Sequence, residues 1–142
     1  MREILFRGQD VDRKEWIYGG YSLYPHTRFP CTPTIYEVDS GCWHPVEVIP
    51  ETVGQYTGRE DKNGQKIFEG DIIAAVLPDS KYQRRFEWPL MHVEFWKGSF
   101  FLATEHGSMF SALSGFSPYV NFEVVGNIHD NPEMLKGKKE GE

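Results

Sequence analysis

His26, Cys31, Cys42 and His44 fall in one stretch as His-x4-Cys-x10-Cys-x-His. Thiolates and imidazoles are ligands that zinc prefers, but structural zinc sites usually take two ligands from one tight turn. Here the cysteines are ten residues apart. The stretch therefore reads as two small apolar fillers and two surface imidazoles, with a shared metal left open. His92-x-Glu94 lies on one face of any strand that carries it. Zinc-dependent nucleobase deaminases join such a pair to a downstream Pro-Cys-x-x-Cys, and no cysteine follows Cys42. A structural His–Glu pair is the expectation. Setting Gly64 at the sixth position of a calcium loop puts Arg59 first and Gly70 twelfth, where carboxylates are needed, so that chemistry is excluded. Glu69 and Asp71 would share a strand face, as catalytic carboxylates can. With Gly70 between them at a turn, a backbone-binding role for the aspartate is the better reading.

Lys81, Arg84 and Arg85 alternate with Tyr82, Phe86 and Trp88. Cations beside aromatics can follow a phosphate backbone and stack bases. Asp79 and Glu87 flank the group, however, and the whole chain carries 15 Lys and Arg against 21 Asp and Glu, a net charge of −6. Phosphate binding draws most of its affinity from basic surface. Nucleic-acid contact through Lys81, Arg84 and Arg85 is thus the secondary reading. No nucleophile elbow, phosphate loop, dinucleotide fingerprint or zinc-protease motif occurs. The sequence accordingly nominates no catalytic, metal or cofactor residue, and the expectation is a protein without enzymatic activity, with a hydrolase as the last alternative.

The elements that would position these groups are strands. The chain has 142 residues, the size of one domain, with 14 Gly, 9 Pro, 10 Phe, 7 Tyr and 4 Trp. Glu3–Arg7 and Trp16–Tyr21, joined by a polar connection, predict an N-terminal hairpin. Five prolines interrupt Pro25–Pro50, which reads as an elaborated loop with short strands near Ile35–Val38 and Val46–Ile49. Asn63-Gly64 predicts a tight hairpin turn, since both residues tolerate positive φ. Ile72–Leu77 is nearly continuously apolar, as in a strand buried on both faces. Pro78–Arg85 reads as a charged loop, Met91–Trp96 and Phe100–Thr104 as strands about Lys97-Gly98-Ser99, and Phe122–Ile128 as the last strand. Ser108–Leu113 admits a helical turn with Ser108 as its cap. Asn131-Pro132-Glu133 has the order of a helix start.

Together these elements predict a mainly β protein: a small antiparallel sheet or SH3-like barrel, with an N-terminal hairpin and a short C-terminal helix. Residues 1–135 would form one domain and 136–142 a charged tail. No uncharged run reaches transmembrane length and no signal-peptide run opens the chain, so a cytoplasmic protein without a membrane partner is expected. The aromatic residues exceed what one small core readily hides, which points to a homo-oligomer.

The block Thr52-Val53-Gly54-Gln55-Tyr56-Thr57-Gly58, then Asp61-Lys62-Asn63-Gly64 and Ile67-Phe68-Glu69-Gly70-Asp71-Ile72, resembles the YopX family of phage and prophage proteins. Arg2-Glu3-Ile4-Leu5-Phe6-Arg7 and Val124-Val125-Gly126-Asn127-Ile128-His129-Asp130-Asn131-Pro132-Glu133 are similar to it as well. The resemblance implies a phage or prophage origin, a location in the bacterial host cytoplasm, and a phage or host protein as partner. It brings no catalytic residues. The expected function is an accessory binding or assembly module.

Overall fold

The computed structural model describes residues 3–22, 33–39, 41–79, 84–87, 89–105, 109–115 and 120–135. The chain divides into two compact units, Met1–Gly58 and Arg59–Glu142.

In the first unit β1 (Phe6–Gln9) and β2 (Trp16–Ser22) form the expected hairpin, with Phe6 opposite Gly19 and Gln9 opposite Trp16. Its connection is organised by Asp10, whose carboxylate accepts the Arg13 N–H at 2.7 Å. β3 (Thr34–Asp39) pairs with β2, and β4 (Cys42–Glu47) pairs with β3 along its whole length. Among its described residues the proline-rich stretch is thus more strand than loop. Pro45 sits inside β4, opposite Tyr36, which is tolerated because β4 is the outermost strand and one side needs no donor. A 3₁₀ turn, Pro50–Thr52, leads into β5 (Gly54–Glu60), whose first residues pair with β1. Ile17, Ile35 and Val48 form the core, with Phe6, Tyr21, Val46 and Val53 against it. Gly19 is obligatory there, since a Cβ at that position would lie 2.0 Å from the Tyr36 carbonyl oxygen.

The second unit opens with the Asn63-Gly64 turn, where Gly64 has φ +80°, followed by β6 (Lys66–Phe68), the sheet neighbour of β5. β7 (Asp71–Asp79) pairs with β8 (Arg84–Glu87), with β9 (Met91–Trp96) and with β12 (Asn121–Asn127); β10 (Ser99–Ala103) and β11 (Met109–Ala112) complete that sheet beyond β9. Consecutive Ile72 and Ile73 are both fully buried, as expected of a strand covered on two faces. Ile67, Ile73, Met91, Val93, Leu102 and Phe122 are central to the core.

The structure is mainly β, as expected, built as two antiparallel sheets with no closed barrel among the described residues. Two expectations are corrected. In the segment expected to be a charged loop, the described residues Pro78, Asp79, Arg84 and Arg85 lie in strands. Pro78 continues β7 because it lies past Val76, the last residue opposite β12, so only β8 must be bonded there. Met109–Ala112 is strand, completed by a 3₁₀ turn at Leu113–Gly115, because β10 offers an edge to pair with; Ser108 lies outside the described residues. The short C-terminal helix is present as α1 (Pro132–Leu135). Asn131 precedes it at the cap position, its carbonyl accepting the Met134 N–H at 3.1 Å and its side-chain oxygen the Asn127 N–H at 3.3 Å.

Candidate functional site

Among the described residues of the second unit, the exposed large hydrophobic side chains are Phe95 and Trp96, at the tip of the β9–β10 hairpin. Lys97 and Gly98 have φ of 47° and 83°, the two positive values that a twist-matched two-residue turn requires. Trp96 and Ser99 are directly opposite across it. Phe95 continues the face of Met91 and Val93, and Trp96 the face of His92 and Glu94, because strand side chains alternate. The strands run on past the residues that cover them, so both faces of the tip are aromatic. Phe95 is 53% exposed and Trp96 44%. Neither ring is loose. Phe95 meets Phe100 edge-on at 5.1 Å, Trp96 meets Phe101 edge-on at 5.5 Å, and the Lys97 ammonium lies 4.5 Å from the Trp96 ring centre. A rigid, amphipathic aromatic surface with a cation at its end is suited to protein contact.

Toward the base of the same strand, His92 Nε2 and Glu94 Oε1 are 2.7 Å apart, the pair expected from the sequence. His92 Nδ1 is buried without a hydrogen-bond partner among the described residues. The tautomer with Nε2–H donating to Glu94 leaves no orphan N–H inside, and an enclosed Nδ1 cannot reach a substrate.

Asp71 behaves as a turn residue: its Oδ2 accepts the Phe68 N–H at 2.8 Å across Gly70, whose φ is +87°. Asp61 does more. Its Oδ1 accepts the Asn63 and Gln65 N–H groups at 2.8 and 2.9 Å, and its Oδ2 accepts the Val124 N–H at 3.0 Å. Burial alone would raise this carboxyl's pKa. The bonds from Val124, Gln65 and Asn63, with the nearby Lys62 charge, outweigh that and hold it below the ordinary value of 3.8.

Of the nucleic-acid candidates, Lys81 lies outside the described residues. Arg84 and Arg85 occupy β8 in register with Asp79 and Pro78 of β7. His26 and Cys31 also lie outside the described residues, while Cys42, an exposed free thiol, and His44 are two apart on β4. Among the described residues no group of three or more His, Cys, Asp or Glu side chains could hold a metal ion. No helix among them is long and apolar enough to cross a membrane. Sequence reasoning treated Phe95, Trp96, Phe100 and Phe101 only as strand residues. The available signal was two aromatic pairs flanking Lys97-Gly98-Ser99.

Fold and surface together define a small antiparallel β protein that presents a rigid aromatic hairpin. The chain belongs to the YopX family, whose model, described as YopX protein, matches residues 5–136. The crystal structure of protein EF1440 from Enterococcus faecalis is similar in fold, with a TM-score of 0.55 and 24% identity, covering 95% of this chain and 99% of that one. No curated protein matches the chain.

Proposed function

We propose that this protein is a non-enzymatic binding and assembly module of phage or prophage biology, working in the cytoplasm of the bacterial host. The observation that carries the reading is the β9–β10 tip, where Phe95 and Trp96 are held in edge-on contacts yet remain about half exposed. Exposed aromatics pre-ordered by their neighbours lose little conformational entropy on binding, which is the property of interface anchors. Membership of the YopX family supports the phage setting. The partner is a phage or host protein with an apolar pocket rimmed by acidic groups, to receive Trp96 and face Lys97.

The test is comparative capture. Immobilised wild-type chain and a Phe95→Ala/Trp96→Ala variant are exposed to lysates of infected or lysogenic bacteria. A discrete protein retained by the wild type and lost by the folded variant is the expected result. Identical retention by both, or no specific retention by either, rejects the hairpin as the binding surface.

A further inference from the structure

We infer that the outer face of β2, β3 and β4 binds a proline-rich peptide segment of another protein, one that also carries arginine or lysine. This goes beyond the proposal above and uses a surface of the first unit alone. Ile17 and Ile35 belong to the core of that unit, and Phe6, Tyr21 and Val46 pack against it. Side chains alternate along a strand, so residues of the opposite parity stand on the other face. They are Tyr18 and Gly20 on β2, Tyr36 on β3, and Trp43, Pro45 and Glu47 on β4. Tyr36 is in register with Gly20 on one side and with Pro45 on the other.

This face is open. Trp43 is 64% exposed and Tyr18 45%, and Gly20, Pro45 and Glu47 are exposed as well. A Cβ on Gly20 would meet nothing within 4 Å, so the side-chain layer has a gap at the position opposite Tyr36.

The charges of the face select among the ligands that aromatic rings can hold. Arg7 is the one Lys or Arg in β1–β4, and it is buried, with its guanidinium carbon 4.5 Å from the Trp16 ring centre. A phosphate backbone would therefore meet no exposed arginine or lysine on these strands, and neutralised phosphates supply most of the affinity for nucleic acid. A polyproline helix fits better. It has no internal hydrogen bonds, so its carbonyls can accept from tyrosine hydroxyls and a tryptophan indole N–H. Being preformed, it loses little entropy on docking against aromatic rings.

The spacing agrees. β2 and β4 are two strand spacings apart, about 9.6 Å. One turn of a polyproline helix, three residues, advances about 9.3 Å. Prolines three apart on a peptide crossing the strands thus meet Tyr18 and Trp43 in turn, with Tyr36 between them. Glu47 on the same face, and an excess of 21 Asp and Glu over 15 Lys and Arg in the chain, favour a peptide that carries cations.

The test is fluorescence anisotropy of a labelled peptide, six prolines followed by two arginines, titrated with the full chain. Saturable binding in the micromolar range is expected. Trp43→Ala and Tyr18→Ala, each shown to be folded by circular dichroism, should weaken it by about tenfold or more. Glu47→Lys should weaken it too, and should affect a six-proline peptide without arginines far less. No binding at millimolar protein, equal binding of a glycine–serine peptide ending in the same arginines, or affinity unchanged in both ring variants overturns the proposal. Tighter binding of a ten-residue oligothymidylate or of cellohexaose, lost in the same variants, overturns the peptide as occupant. Glu47→Lys binding both peptides as the wild type does overturns the need for cations. None of these results bears on the hairpin, which the capture experiment tests separately.

Discussion

The Asp61 carboxylate reaches across 63 residues of sequence to accept the backbone N–H of Val124 at 3.0 Å, fastening the first turn of the second unit to its last strand. The same group closes its own turn through Asn63 and Gln65. Replacing it with alanine leaves these N–H groups without their acceptor. Bonds to a charged acceptor are the strong ones, and unmet buried donors are costly, so Asp61→Ala should destabilise the fold by about 3 kcal/mol in urea titration. Asp61→Asn, which keeps one acceptor oxygen, should lose less. Equal stability of all three proteins would contradict this role.

Acid should act through the same residue. Its folded-state pKa lies below the ordinary 3.8, so the unfolded chain binds the proton more readily. The stabilisation is complete above the unfolded value and is lost as pH falls through the folded one. Unfolding free energy should therefore drop more steeply below about pH 4 in the wild type than in Asp61→Asn. Parallel pH profiles for the two proteins would rule the linkage out.

Two neighbouring glycines of β2 should respond oppositely. A Cβ at Gly19 meets backbone, the Tyr36 carbonyl, whereas one at Gly20 meets nothing within 4 Å. Backbone cannot swing aside as a side-chain end can. Gly19→Ala should cost at least about 3 kcal/mol, while Gly20→Ala should stay within about 0.5 kcal/mol of wild type. Thermal melts of the two variants provide the comparison.

Trp96 separates surface function from folding. Its edge-on contact with Phe101 is worth about 1 kcal/mol, so Trp96→Ala should remain folded with a modest loss of stability. The same variant should lose most of the protein retained in the capture experiment. Loss of the fold on this substitution would mean that the tip is a structural element.

Local chemistry was legible where the chain's own backbone set the terms. Asn63-Gly64 announced a turn because few residues accept positive φ, and Gly64 adopts it. The apolar run after Asp71 announced a doubly covered strand, and Ile72 and Ile73 are both buried. The His92–Glu94 pair followed from period two alone. Pro78 misled for the opposite reason. A proline reads as a strand breaker only if both neighbours need its donor, and Val76 is the last residue facing β12. Asn131-Pro132 announced a helix start, and α1 begins at Pro132 with the Met134 N–H bonded to the Asn131 carbonyl.

Residue order alone therefore specified the turns, most of the antiparallel strands and the short final helix, since φ preference and side-chain alternation are properties of a few adjacent residues. Which edges stay open, which carboxylate grips a distant strand and which aromatics reach solvent depended on the finished sheets. Exposure of Trp96 and occupation of the β12 edge are set by how far each strand outruns its neighbours, and that is a relation between segments remote in the chain.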